Sequence, residues 1–238
     1  MDFETKKFII NYMQKRAVVI YGPPGSGKGT QAELLAKKYY FIHFDTGRYF
    51  ENIFRSRAAK KDPVFRREKK LFDSGILLTP AWVLKTVSQA TKEIAKAGFS
   101  IVYSGSPRTL FEAFGLKNNG LIKLLGELYG RKNITVIKLN IREKTTISRN
   151  SQRLVCVICG LPILANSKSK RCSFCAGPMR KRTLDDPKVI KVRLKEYRER
   201  TYPILQTLKK FGFEIKEING EPLPYKVFAQ IIKALKIG

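Results

Sequence analysis

A glycine-rich segment near the start of the chain has the residue types and the spacing that bind phosphate. Residues 22–30 read GPPGSGKGT, which satisfies the pattern G-x-x-x-x-G-K. Because glycine carries no Cβ, successive backbone N–H groups can turn inward around a phosphate. Lys28 adds a positive charge for the β- and γ-phosphates, and a helix that begins after the loop favours an anion at its N-terminus. The segment therefore predicts a phosphate-binding loop for a nucleotide.

Four cysteines form a second group whose spacing could do chemistry. Cys156 and Cys159 form one C-x2-C pair, and twelve residues separate it from the C-x2-C pair of Cys172 and Cys175. Each pair can present two thiolates on a tight turn, and the two pairs complete a tetrahedral site of four sulfur ligands. Such a closed site favours zinc in a structural role, because no coordination position is left for water. A redox dithiol pair and two disulfides are the alternatives.

The composition indicates a globular protein with a large excess of positive charge. The chain has 238 residues, of which 47 are Lys or Arg and 19 are Asp or Glu, so its formal net charge is +28. A hydrophobic fraction of 43% excludes a disordered chain and allows one large domain or two small ones. The charge favours polyanionic partners such as nucleotides or nucleic acid, although a lysine-rich solvated surface also explains much of the excess.

Two features of the sequence bear on the cellular compartment. No apolar run approaches the roughly 18 residues that a membrane span needs, so we expect no membrane segment. Residues 1–16 have neither the uninterrupted apolar stretch nor the small-residue cleavage site of a secretory signal. We therefore expect a cytoplasmic protein whose cysteines are reduced.

The elements that must position the loop and the cysteines alternate between strands and helices. Short apolar runs predict strands over residues 17–21, 41–44, 100–104, 134–139 and 213–218. Helical spacing predicts helices over residues 2–15, 30–40, 80–97, 109–128, 143–153 and 187–211. This alternation favours an α/β fold with a doubly wound parallel sheet. A charge-dense stretch over residues 46–74 predicts a small helical excursion, and residues 153–184 predict an insertion stabilised by its own metal.

The phosphate loop, the following Gln31, HFDTG at residues 43–47, YSGSPRT at residues 103–109 and the cysteine insertion occur in this order. Together they resemble the adenylate kinase family over residues 17–237, most closely its zinc-bearing, long-lid type. The resemblance implies reversible transfer of the ATP γ-phosphoryl group to AMP, which gives two ADP, with Mg²⁺ accompanying ATP. It also implies a P-loop three-layer fold with a five-stranded parallel sheet, and usually a monomer.

The same resemblance implies a division of the chain into three parts. Residues 1–45, 75–153 and 185–238 would form the core P-loop domain, with residues 1–16 as its leading helix. Residues 46–74 would bind the nucleoside monophosphate. Residues 154–184 would form the zinc-binding lid, which closes over the donor nucleotide and excludes water.

The resemblance also implies roles for individual residues. Those expected around the transferred group are Lys28, Arg108, Arg153, Arg182 and Arg193. Those expected to bind ATP are Gly25, Ser26, Gly27, Lys28, Gly29, Thr30, Arg149, Arg153 and Pro222. Those expected to bind AMP are Thr46, Ile76, Leu77, Leu78, Gly105, Arg108, Glu112, Arg182 and Arg193.

Ser104 departs from the pattern of the family at the metal site. The family has an acidic residue at this position, and its carboxylate holds water around magnesium. Serine does not supply that charge, so Asp45 and Asp185 are candidates to compensate.

Two further departures concern the monophosphate site. Glu51 occupies the position of an early arginine of the family, and Arg48 or Arg55 could serve instead. Glu112 occupies the position of a glutamine that reads the AMP base. Because an ionised carboxylate only accepts hydrogen bonds, the preference for the acceptor base could be altered.

The remaining features leave two other functions open. The basic runs at residues 60–61, 66–67, 69–70 and 180–182 could bind nucleic acid, although solvated faces explain them as well. His43 is the single histidine of the chain, and we expect it to be a packing residue at a strand end. The alternatives to an adenylate kinase are a kinase for another nucleoside monophosphate and a P-loop zinc-ribbon protein that binds nucleic acid.

Overall fold

A computed structural model describes residues 15–56, 61–163 and 171–237. Its strands are β1 (Ala17–Tyr21), β2 (Ile42–Phe44), β3 (Ile101–Tyr103), β4 (Ile134–Asn140), β5 (Leu154–Cys156), β6 (Pro162–Ile163), β7 (Met179–Arg180) and β8 (Ile215–Asn219). Its α-helices are α1 (Lys28–Tyr39), α2 (Thr46–Arg55), α3 (Pro63–Asp73), α4 (Pro80–Lys96), α5 (Leu110–Phe114), α6 (Leu121–Tyr129), α7 (Glu143–Ser151), α8 (Pro187–Glu196), α9 (Tyr202–Lys210) and α10 (Pro224–Leu235). The helix expected over residues 2–15 lies almost entirely outside the described residues.

Five strands form one parallel sheet in the order β2-β3-β1-β4-β8. The central strand β1 reads AVVIY and is buried along its whole length, as expected for a strand that helices cover on both faces. Leu35 and Ile231 pack on one face of the sheet, whereas Leu125 and Leu208 pack on the other. The α/β class and the five-stranded parallel sheet are thus confirmed, in three layers of helix, sheet and helix.

The single helix expected over residues 109–128 is wrong. Helix α5 ends at Phe114 and α6 begins at Leu121. A Cβ at Gly120 would lie 2.3 Å from the carbonyl oxygen of Ala113, so the chain turns there where a side chain does not fit. The helix expected over residues 187–211 is nearly continuous, because the π-helical turn Tyr197–Thr201 joins α8 to α9.

Two excursions leave the main sheet. Helices α2 and α3 follow β2, and their aromatic side chains pack on Trp82 of α4, with ring centroids of Phe50 and Trp82 4.8 Å apart. Strands β5, β6 and β7 form a separate antiparallel sheet of three strands around the cysteines. Across the described residues, no helix is both long enough and apolar enough to cross a membrane.

Candidate functional site

A cleft of ≈ 1280 Å³ lies at the carboxyl ends of β1, β2 and β3. This is the end of a parallel α/β sheet at which ligands bind. The wall of the cleft includes every residue to which the family resemblance assigned nucleotide binding or catalysis. Segments from both excursions, among them Arg48 and Phe174, also line it. The fold therefore brings residues from seven separate stretches of sequence to one site; their individual roles stay predictions.

The phosphate loop joins β1 to α1 at the floor of this cleft. Gly22 has φ +152°, and a Cβ there would lie 2.5 Å from Ser26 Oγ, so the turn requires glycine. Helix α1 begins at Lys28, within the last three residues of the loop, which aims its N-terminal N–H groups into the cleft. Lys28 Nζ donates to the carbonyl oxygens of Gly22 and Pro23 at 2.8 and 3.0 Å. The loop thus presents amide donors and one ammonium group to the same space.

Five cationic side chains face one another across the cleft and form the five-cation cluster: Lys28, Arg108, Arg153, Arg182 and Arg193. Burial, followed by repulsion from Arg108 and Arg193, holds the pKa of Lys28 well below its usual value. Burial and the repulsion of Arg153, Arg182 and Arg108 lower the pKa of Arg193 to about 9. Burial and mutual repulsion therefore make the charged forms of this cluster unfavourable in the absence of a ligand, as expected for a site that takes a polyanion.

Asp185 offsets part of this charge. Its carboxylate accepts from Arg153 Nε at 2.9 Å and lies 3.6 Å from Arg193 Nη1. Asp185 is buried, so its carboxylate is committed to these two arginines. The suggestion that Asp185 compensates for Ser104 at the metal site is therefore not supported. Asp45 is the better placed of the two candidates, because it lines the cleft while its Oδ1 caps α2 through Arg48 N at 3.1 Å.

The acceptor side of the cleft is built on the loop after β3. Glu112 accepts from the backbone N–H of Arg108 at 2.8 Å and from the hydroxyl of Thr109 at 3.1 Å. Burial raises the pKa of Glu112 to about 7, although both donors favour its ionised form. Thr46 donates to Ser106 at 3.0 Å, which ties the start of α2 to this loop. A carboxyl group that is half protonated near neutral pH can therefore both donate and accept at this wall.

Two contacts position the rest of the nucleotide-facing residues. Arg149 donates to the carbonyl oxygens of Gly220 and Glu221 at 2.8 and 2.7 Å, which holds the loop that carries Pro222. The backbone N–H of Leu77 donates to Glu196 at 3.0 Å, which ties the strip of residues 76–78 to α8. Both contacts fix backbone segments at the edge of the cleft.

The structure distinguishes Arg48 from Arg55, the two candidates to serve in place of the family's early arginine, whose position Glu51 occupies. Arg48 lines the cleft and lies against Gly160 of the cysteine-bearing segment. Arg55 is exposed on α2, where it pairs with Glu51 at 2.7 Å, and it does not line the cleft. Glu51 also accepts from Arg180 of β7 at 2.7 Å. Of the two candidates, only Arg48 therefore faces the cleft, and Glu51 links the two excursions.

The four cysteines come together as the cysteine cluster. Their Sγ atoms all lie within 4.8 Å of one another, with 3.4 Å between Cys156 and Cys175 and 3.6 Å between Cys159 and Cys172. A tetrahedron of four sulfurs at about 2.3 Å from zinc has S···S distances of about 3.8 Å. The sulfurs are too far apart for disulfides, whose S–S bond is about 2.05 Å. A Cβ at Gly177 would lie 2.9 Å from Cys156 Sγ, so this turn requires glycine. The donor set fits a structural zinc ion.

One group of polar residues was not expected from the sequence. His43 Nε2 lies 2.8 Å from Ser104 Oγ, and His43 Nδ1 lies 3.1 Å from Glu33 Oε2. These three residues, the polar chain, all line the cleft. His43 lies in β2 with a largely buried side chain, which is compatible with the expected packing role, but both of its ring nitrogens are also hydrogen-bonded. The contacts join α1, β2 and the end of β3, and no spacing in the sequence signals them.

Comparison with known proteins identifies the family. A family model described as adenylate kinase matches residues 20–213. The adenylate kinase of Dehalococcoides mccartyi is 34% identical over 226 residues, which are 93% of this chain and 98% of the relative. The adenylate kinase of Lactobacillus delbrueckii subsp. bulgaricus is 33% identical over 223 residues, 90% of this chain and 95% of the relative. That of Clostridium botulinum is 29% identical over 225 residues, 92% and 97% of the two chains. The chain therefore belongs to the adenylate kinase family, whose members are nucleoside monophosphate kinases that use Mg²⁺ with ATP.

Proposed function

We propose that this protein transfers the γ-phosphoryl group of ATP to AMP. The observation that carries the proposal is the five-cation cluster, which lies between the phosphate loop and the loop after β3 in one cleft. ATP and a monophosphate repel each other, so their reaction requires fixed positive charges that hold both in line. The relatives named above, which are similar over almost their whole length, support AMP as the acceptor.

The chemistry needs positioning and charge neutralisation rather than a base. The acceptor oxygen of a monophosphate is already an anion, so no proton has to be removed before it attacks. Lys28 and the loop amides would hold the β- and γ-phosphates, and Arg108 would hold the acceptor phosphate. Arg153, Arg182 and Arg193 would neutralise the charge that spreads over the transferred group. Guanidinium groups suit this role because each binds two oxygens at once and stays protonated, even with the lowered pKa of Arg193.

Oxygen donors at the cleft suit the magnesium ion of the donor nucleotide. Thr30 and Asp45 supply a hydroxyl and a carboxylate beside the phosphate loop, and Mg²⁺ prefers such ligands. When bound, the ion neutralises charge that develops between the β- and γ-phosphates.

The cysteine cluster suits a structural zinc ion in a closing segment. We infer that residues 154–184 form a lid and residues 46–74 a monophosphate-binding part, on the core of residues 1–45, 75–153 and 185–238. Zinc would make the lid one rigid body, and closure would exclude water that otherwise hydrolyses ATP. Because one chain supplies all five cations, we expect the monomer to be competent.

A coupled assay with ATP and each of AMP, CMP, UMP and GMP tests the proposal. We expect ADP formation with AMP, at a rate well above that with the other three acceptors. Preference for another acceptor would indicate a kinase for that nucleotide, in which Glu112 reads a different base. ADP formation with none of them, together with salt-sensitive retention on RNA, would refute the proposal in favour of a nucleic-acid-binding protein.

A further inference from the structure

The polar chain connects the helix after the phosphate loop to the end of β3. Glu33 lies on α1, five residues after Lys28, and His43 lies on β2. Ser104 directly follows β3, which pairs with β1 in the register Val19 to Tyr103. Ser104 is therefore one residue beyond the strand that runs beside β1, where β1 ends in the phosphate loop. All three side chains belong to the wall of the cleft.

When Glu33 is ionised and the imidazole of His43 is neutral, the two contacts assign the protons of the chain. An ionised carboxylate only accepts, so Glu33 requires the proton of His43 on Nδ1. In the neutral imidazole, Nε2 is then an acceptor, and it takes the hydroxyl proton of Ser104. The oxygen of Ser104 keeps its two lone pairs as acceptors. An isolated serine hydroxyl would rotate freely between donor and acceptor, whereas this one is held as an acceptor.

The position of this oxygen suggests what it accepts from. P-loop enzymes hold the magnesium of their nucleotide partly through an acidic residue, the Walker-B Asp. Ser104 is neutral, but the hydrogen bonds connect it through His43 to the charge of Glu33. Hydrogen-bonded chains polarise their members in a medium of low dielectric constant, so the seryl oxygen becomes a stronger acceptor than serine alone.

We propose that Ser104 accepts a hydrogen bond from a water ligand of ATP-bound Mg²⁺, and that His43 and Glu33 are positioning residues that hold it ready to do so. The inference rests on the proposed function, because it requires ATP in this cleft. A purely structural chain would instead stabilise the edge strand β2 and leave metal affinity unchanged.

The single histidine of the chain makes the first test specific. In a ¹⁵N spectrum of the zinc-loaded protein above pH 8, His43 should show the Nδ1–H tautomer. Addition of ATP with Mn²⁺ should broaden the His43 signals, whereas ATP with Mg²⁺ should leave them sharp. The Nε2–H tautomer, or signals that Mn²⁺–ATP leaves sharp, would overturn the proposal.

The second test measures metal affinity directly. Titration of Mn²⁺ into the ATP complex, followed by electron paramagnetic resonance, should show about 10–100-fold weaker binding in Ser104→Ala and His43→Phe. Ser104→Asp should bind at least as tightly as the parent, because it supplies the charge itself. Glu33→Gln keeps an acceptor for Nδ1–H but loses the charge, so it should fall between the parent and Glu33→Leu. Glu93→Gln, an exposed change on α4, serves as the control. Equal Mn²⁺ affinity in the parent and Ser104→Ala would refute the inference.

Metal-free ATP binding, measured by calorimetry, separates a failure of the proposed function from a failure of the inference about Ser104. If ATP does not bind the parent, the proposed function itself fails. If ATP binds the parent and Ser104→Ala alike, both proteins are folded, and the metal titration then decides the inference alone.

Discussion

Replacement of Arg193 with methionine tests whether the five-cation cluster is unfavourable until a polyanion binds. Burial first, and then repulsion from Arg153, Arg182 and Arg108, lowers the pKa of Arg193 from its ordinary value to about 9. At about 1.36 kcal/mol for each pKa unit, this fall corresponds to roughly 5 kcal/mol of unfavourable free energy for the charged side chain. Loss of the charge should therefore remove this unfavourable free energy and stabilise the folded protein.

The expected gain is smaller than this figure, because Arg193 also makes favourable contacts. It donates to the carbonyl oxygen of Leu184 at 3.0 Å and lies 3.6 Å from Asp185. Asp185 keeps Arg153 as a partner in the variant. Buried charges replaced by apolar groups of similar size often leave stability unchanged or raise it by about 1–4 kcal/mol. We expect Arg193→Met to raise the free energy of unfolding by about 1–3 kcal/mol in the absence of nucleotide.

Urea unfolding with and without ATP measures the change in stability of the variant and the stabilisation that bound ATP adds. ATP should stabilise the parent strongly and the variant much less, because the variant has lost one phosphate contact. Without nucleotide, the parent should also gain stability as the pH rises above about 9, since folded Arg193 releases its proton there while the unfolded chain keeps it. Arg198→Met is the control, because Arg198 is exposed and pairs with Glu143 on the surface. A nucleotide-free variant that is less stable than the parent by several kcal/mol would refute the reasoning.

Three further predictions concern Glu112, the cysteine cluster and Glu51. The pKa of Glu112 is about 7 in the folded protein against an ordinary 4.5, so the free energy of unfolding should fall as the pH rises between these values. Urea titrations should show a flatter profile for Glu112→Gln, and identical profiles would contradict this assignment. Cys156→Ser should lower both the melting temperature and the zinc content measured by emission spectroscopy while ATP still binds; unchanged zinc content would count against the metal site. Glu51→Gln should lower the free energy of unfolding by less than about 1 kcal/mol, because its partner Arg180 is partly exposed. A larger coupling energy between Glu51 and Arg180 in a double-mutant cycle would contradict this prediction.

Local patterns in the sequence were sufficient to predict the phosphate loop and the cysteine cluster, the two most specific features of the chain. The phosphate loop depends on glycines and a lysine within nine residues, and the cysteine cluster depends on two turns of fixed length. In each case neighbouring residues supply the groups, so spacing along the chain determines their geometry. The five strands of the main sheet were also predictable, because burial on both faces requires continuous apolar runs such as that of β1, whereas the short strands β5, β6 and β7 were not predicted.

Contacts between distant elements were not predictable from spacing. Arg108 and Arg193 are 85 positions apart in the sequence, and the resemblance to a family, rather than any periodicity, assigned them to one site. Neither spacing nor the family resemblance predicted the polar chain, since His43 and Ser104 meet only when β2 and β3 pair. The break between α5 and α6 did carry a local signal, because residues 118–120 read Asn-Asn-Gly, a sequence typical of turns.

The central claim is that one set of cations holds donor and acceptor phosphates end to end. A crystal structure with a bisubstrate mimic, in which two nucleosides are joined by an oligophosphate, tests it most directly. We predict that Lys28, Arg108 and Arg182 donate hydrogen bonds to the oligophosphate, with one base near Pro222 and the other near Glu112. Arg108 and Arg182 directed away from the bound oligophosphate would contradict the account.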